Sequence, residues 1–213
     1  MNKLPPYLLK KPKEHSICLI LEGYEEEYYF KRLKELPVFS GIYNIKLINA
    51  KSESNIPAKY QEAYSSDSNE IVLIVCDKDR KPQQYDILVQ EINKILGEGK
   101  SEHIITFTRP CTLQIILSHF GEVTLTTQGK KAARSDVERL TGVKGYDAHV
   151  TQLEEICGKI FNRTYPEMKK RVENIGDNPD DIPSSNILDL FHRLESDDST
   201  WINEINNLIN SDS

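Results

Sequence analysis

No apolar stretch in these 213 residues approaches the roughly 20 that a bilayer span needs, so no membrane segment is expected. The first 13 residues hold lysines and prolines without an apolar run, so a secretory signal is not expected there. The four cysteines (Cys18, Cys76, Cys111, Cys157) are far apart and none forms a CxxC pair. They read as buried, reduced thiols of a cytoplasmic protein and not as a disulfide frame or zinc site. Internal repeats and low-complexity tracts are absent. Residues 126–131, Thr-Thr-Gln-Gly-Lys-Lys, lack the spacing of a P-loop. Positive charge is short as well: the net of −6 argues against a wholesale basic nucleic-acid coat protein.

What is present is unevenly arranged. Residues 1–125 carry 16 Lys+Arg against 17 Asp+Glu, residues 126–171 carry 10 against 6, and residues 172–213 carry 1 against 10. A neutral body is followed by a basic segment and an acidic tail. An apolar content of 38% is enough for one buried core. Residues 16–21 and 71–76 are short β-branched runs, apolar at nearly every position, as strands buried on both faces are. Residues 42–48 and 103–107 are two further strand candidates. Helical spacing of apolar residues marks 25–36 and 83–96 between them. Strands alternating with helices predict an α/β domain with a mostly parallel sheet over residues 1–125. Beyond it, residues 131–140, 148–161, 165–172, 185–194 and 200–209 read as helices, giving a helical C-terminal region over 126–213.

In α/β sheets, function gathers beyond the carboxyl ends of the strands. Two acidic clusters stand there: Glu22-Gly23-Tyr24-Glu25-Glu26 after the first run, and Asp77-Lys78-Asp79 after the second. Glu22 and Glu26 are four apart and share a side of a helix starting near Gly23; Asp77 and Asp79 are two apart and share a face of an extended chain. Carboxylates beside very apolar strands need water, a partner or a cation. Two such pairs make a cup of hard oxygen ligands suited to Mg²⁺ or Mn²⁺. No histidine joins either cluster, which argues against zinc. The plainer alternative is that an acidic first turn suits the helix dipole and that Asp-Lys-Asp is only a turn.

An apolar strand, then Glu22, Gly23, Glu26, Tyr29 and Phe30, then a later apolar strand ending in Asp77 and Asp79, resembles the Toprim domain. Within it, the chain is most similar to RloB-like and OLD-type nucleases, where an Arg/Asn-Pro-Cys segment precedes an apolar helix ending His-Phe. Here these are Arg109-Pro110-Cys111, residues 112–118, and His119-Phe120. The resemblance spans roughly residues 16–122 and implies a mostly parallel sheet flanked by helices. It also implies metal-dependent hydrolysis of phosphodiester bonds in DNA or RNA, with a role in phage defence. On that basis Glu22, Asp77 and Asp79 are the catalytic candidates, with Glu22, Glu26, Asp77 and Asp79 as metal ligands. One departure stands out. Where RloB-like proteins carry a Glu near the helix start, this chain has Leu113 and Gln114, and an amide brings neither charge nor a base.

Lys78, Arg80 and Arg109 are candidate phosphate contacts on the same strand exits. Lys130, Lys131 and Arg134 open a basic surface suited to a nucleic-acid backbone. His119, on an apolar helix, reads as a core histidine. An ATPase of the kind OLD-type nucleases use would have to come from a partner, and the acidic tail complements the basic segment of another copy in a homo-oligomer. Besides the nuclease, two functions stay open. One is a Toprim-like module that binds nucleic acid or a partner ATPase without cutting. The other, resting on Asp-x-Asp alone, is a small-molecule phosphohydrolase, for which the downstream Thr/Ser and Lys motifs are missing.

Overall fold

Residues 17–21 and 71–76 are buried at every position, so whatever holds these strands must cover both of their faces. The computed structural model, which describes residues 14–66, 68–78, 82–127 and 129–211, shows how. β1 (His15–Leu21), β2 (Tyr43–Asn49), β3 (Ile71–Asp77) and β4 (Ile105–Arg109) form a parallel sheet, and β5 (Ser184–Ser185) adds an antiparallel edge. The order is β2-β1-β3-β4-β5. β2, at an edge, begins with an alternation of buried and exposed residues, whereas β1 and β3 are the two internal apolar runs.

The connections are helical. α1 (Tyr24–Glu35) joins β1 to β2, α2 (Ile56–Tyr64) joins β2 to β3, and α3 (Pro82–Leu96) leads to β4. The chain leaves β1 in one direction to form β2, then returns past β1 to lay β3 on its other side. The carboxyl ends of β1 and β3 therefore flank a topological switch point, where open α/β sheets have their ligand crevice.

Beyond β4 come α4 (Leu113–Ser118), α5 (Lys130–Thr141), α6 (Val150–Gly158), α7 (Tyr165–Glu173), α8 (Ile187–Glu195) and α9 (Thr200–Asn210). Residues of this stretch join the same hydrophobic core as the sheet. Phe191 of α8 meets Tyr29 and Phe30 of α1 at ring-centroid distances of 6.3 and 6.1 Å, and Tyr165 of α7 at 5.7 Å. On β2, Tyr43 accepts a hydrogen bond from the indole of Trp201 in α9 at 2.9 Å.

The structure differs from the sequence expectation at Ser185, which pairs in β5 instead of opening α8, with Ser185 opposite Thr108 and Ser184 opposite Arg109. The Ser185 hydroxyl donates to the Phe107 carbonyl at 2.7 Å and accepts from the Ile187 N–H at 3.1 Å. A two-residue strand of serines has no apolar periodicity for a pattern to detect. α2 had likewise not been singled out in the sequence.

Candidate metal centre

Glu22 is the first residue past β1, and its backbone N–H continues the ladder by donating to the Val75 carbonyl at 3.1 Å. Its side chain then crosses to the neighbouring strand, where Oε2 accepts the Asp77 N–H at 2.9 Å. Parallel register thus brings together two acids 55 residues apart. Gly23 starts α1, and the Glu26 side chain folds back so that Oε2 accepts the Gly23 N–H at 2.9 Å, half of a capping box. Asp77 is anchored from a third element: its Oδ1 accepts both the Thr112 N–H, at 2.8 Å, and the Thr112 hydroxyl, at 3.0 Å. That places the turn between β4 and α4, with Cys111 on it, beside the end of β3.

These groups line a cavity of about 230 Å³ whose walls include Glu22, Glu25, Glu26, Asp77, Cys111 and Tyr146. Glu25, Asp77 and Cys111 each place one donor atom within 4.8 Å of the others. Tyr146 donates its hydroxyl proton to Glu25 Oε1 at 2.7 Å. Glu26 is 2% exposed and its Oε1 is buried without a hydrogen-bond partner. Ala148 on the same wall has a left-handed backbone, φ 55°, a conformation that costs a non-glycine residue about 1 kcal/mol.

The electrostatics follow from the crowding. Burial, then the charges of Glu26, Glu22 and Glu25, push the Asp77 carboxyl well above the usual carboxylate range, against the Thr112 N–H bond, which lowers it. Burial raises the Cys111 thiol, and Glu25 and Asp77 raise it further. The Tyr146 phenol is also raised, by burial and by Glu25. A divalent cation among these groups would reverse each of these costs. The residues present fit such an ion, as a cluster of carboxylates with a thiol at its edge.

A larger cavity of about 650 Å³ lies at the start of β2, between Lys34, Phe39, Tyr43 and Asp197. It gathers no comparable set of acids. The smaller cavity, at the switch point, is the one that gathers the acids.

Of the residues picked out in the sequence, Glu22, Glu26 and Asp77 converge here. Asp79 and Arg80 lie outside the described residues, as does the side chain of Lys130. Lys78 is 9% exposed, with its ammonium 5.1 Å from the Tyr85 ring centroid and 3.9 Å from Asp180. Arg109 donates to the Pro179 carbonyl at 3.0 Å, fastening the loop before β5. Arg134 donates to the Tyr146 carbonyl at 2.8 Å and meets Asp147 at 3.2 Å, which fixes the segment bearing Tyr146. Lys131 is exposed on α5. Part of the charge contrast between the basic segment and the tail is met within the chain, since Lys169 pairs with Glu195 at 2.8 Å.

Gln114 is 1% exposed and does not join the cluster. Its amide donates to the Val123 carbonyl at 2.9 Å and accepts the Leu125 N–H at 2.8 Å, clamping the segment after α4. Glu25, Cys111 and Tyr146 were not assigned to the site from sequence. Glu25 stood in the acidic run and Cys111 in the Pro-Cys step; Tyr146 had no local signal at all. All four cysteines are buried free thiols. Among the described residues no helix is long and apolar enough to cross a membrane. No protein-family model, curated protein or solved structure matches this chain, so the site rests on its own geometry.

Proposed function

We propose that this chain is a metal-dependent nuclease that hydrolyses phosphodiester bonds in DNA or RNA. The observation that carries the proposal is the convergence of Glu22, Glu25, Glu26 and Asp77 on one cavity at the switch point of the sheet, with Glu26 Oε1 buried and unpartnered. Glu26 and Asp77 would hold Mg²⁺ or Mn²⁺, joined by Asp79 and by Glu22. When bound, the cation would polarise the phosphate and lower the pKa of a coordinated water. The chain's own groups supply positioning and proton transfer. Thr112 orients Asp77, and Tyr146 orients Glu25. Glu22, anchored on the Asp77 N–H, would take the proton of the attacking water as the phosphorus–oxygen bond to the leaving strand breaks, and the leaving oxygen would take its proton from solvent. Arg109 and Lys78 stand at the neighbouring strand exits, and Lys131 supplies exposed positive charge for the backbone.

One observation favours a second reading, a module that binds nucleic acid or a partner ATPase without cutting. Near the helix start, where the resemblance calls for a carboxylate, stand Leu113 and Gln114, and the Gln114 amide is committed at both ends to the fold. Purified protein incubated with DNA and with RNA in Mg²⁺ or Mn²⁺, beside an Asp77→Ala/Asp79→Ala double variant, separates the two. Cleavage by the parent protein alone is expected. Equal cleavage by both proteins refutes the nuclease site, and Mn²⁺ binding with no cleavage of either nucleic acid supports the second reading.

A further inference from the structure

A sulfur stands among the oxygens of the acidic cavity, and a site meant for Mg²⁺ alone has no use for it. Cys111 lies within 4.8 Å of donor atoms of both Glu25 and Asp77. Its place is determined by its neighbour Thr112, which donates to Asp77 Oδ1 through both its N–H (2.8 Å) and its hydroxyl (3.0 Å). Glu25 is held from the opposite wall by the Tyr146 hydroxyl at 2.7 Å. Three donors of two kinds are thus set at ligand spacing by groups outside the trio. An independent observation points to a cation at the same place. Glu26 lines this cavity, is 2% exposed, and has its Oε1 buried with no hydrogen-bond partner. A buried carboxylate oxygen left unpaired is costly, and a cation offsets that cost.

We propose that Glu25, Asp77 and Cys111 form a mixed oxygen–sulfur site for a thiophilic divalent cation of the Zn²⁺ class. It overlaps the place where the nuclease reading puts Mg²⁺, and resting on that reading, its consequence is that a thiophilic ion displaces the hard one and stops hydrolysis. Thiolate is a far better ligand for Zn²⁺ than for Mg²⁺, and three protein ligands with an open position are a common arrangement for that ion. Binding forms a metal–sulfur bond and breaks the S–H bond, the proton leaving to solvent with no electron transferred.

Co²⁺, a coloured substitute for Zn²⁺, tests this on the reduced full-length chain. The parent protein is expected to develop a thiolate-to-cobalt charge-transfer band that saturates at one equivalent and is abolished by Zn²⁺. Zn²⁺ should also release bound Mn²⁺, read as recovery of the free-ion electron paramagnetic resonance signal. Cys111→Ser should keep Mn²⁺ binding and lose the band, with Cys18, Cys76 and Cys157 present in both proteins as internal controls. Mn²⁺ binding by the parent without any sulfur band, or a band that survives in Cys111→Ser, overturns the proposal and leaves the nuclease reading standing. Failure to bind either Mn²⁺ or Co²⁺ removes both. Should Cys111→Ser not fold by circular dichroism, Glu25→Gln provides the decision: weaker Co²⁺ binding supports the site, and unchanged binding overturns it.

Discussion

Lowering the pH should unfold this protein through one histidine before most of its carboxylates respond. His119 is 3% exposed, between α1 and α7. Its Nε2 lies 2.9 Å from the Tyr29 hydroxyl and its Nδ1 3.0 Å from Thr164 Oγ1. The Thr164 hydroxyl donates its proton to the Phe161 carbonyl at 2.8 Å, so it accepts from Nδ1–H and leaves Nε2 to accept from Tyr29. A protonated ring would set two donors against each other at Nε2. Burial, and then the nearby Arg171 guanidinium, lower the imidazole from 6.5 to about 3. The unfolded chain therefore takes up a proton that the folded chain refuses. Stability is fully present above the unfolded value and is lost as pH falls, by about 1.4 kcal/mol per unit until the folded value is reached. From about pH 6.5 to pH 4 the loss is about 3 kcal/mol, a large part of a typical domain's stability. Urea unfolding across that range, for the parent and for His119→Gln, isolates the contribution, since the carboxylates titrate in both. The parent curve should be steeper by about one proton's worth between about pH 6 and pH 5. Parallel curves would show that the imidazole titrates normally in the folded protein and would refute the reasoning.

Two further outcomes test the cavity. Because burial and three glutamates hold the Asp77 carboxyl above its ordinary range, its stability contribution is present at low pH and lost as pH rises through the folded value. At neutral pH the raised carboxyl is a cost relative to the unfolded chain, where the group ionises freely, so Asp77→Asn, which keeps the acceptor for Thr112, should melt higher than the parent in chelator. The parent alone should then gain on adding Mn²⁺, about 2.7 kcal/mol at a hundredfold excess over Kd; a lower melting point for the variant in chelator would refute this. At Gln114, Glu replaces an amide donor with an oxygen facing the Val123 carbonyl. Gln114→Glu should cost about 1–3 kcal/mol in thermal or urea unfolding, and no loss would mean the clamp is unimportant.

The two buried strands were legible because residues 17–21 and 71–76 are short, β-branched and apolar on both faces, as strands covered on both sides are. The acids that follow them were legible as well, since strand ends in such sheets are where polar groups become useful. α8 was placed two residues early because β5 is held by serine hydroxyls, which carry no periodic signal. Lys78 stands in the sequence as a candidate phosphate contact, yet it is buried with its ammonium near the Tyr85 ring. The direction of that side chain depends on α3, which a local pattern does not place.

The sequence by itself determined that apolar strands end in paired carboxylates, that the four cysteines lie far apart with no CxxC pair, and that charge divides into body, basic segment and acidic tail. These are properties of neighbours along the chain, where periodicity and composition act. Only the tertiary structure decided the membership of the cavity. Parallel register brings Glu22 onto the Asp77 N–H, the Thr112 turn carries Cys111 beside the same carboxylate, and Tyr146 reaches Glu25 from 121 residues away. The tertiary structure also committed Arg109, Arg134 and Gln114 to holding loops. Such contacts depend on which backbone groups lie within hydrogen-bond reach after folding, and only the packing of distant segments supplies that.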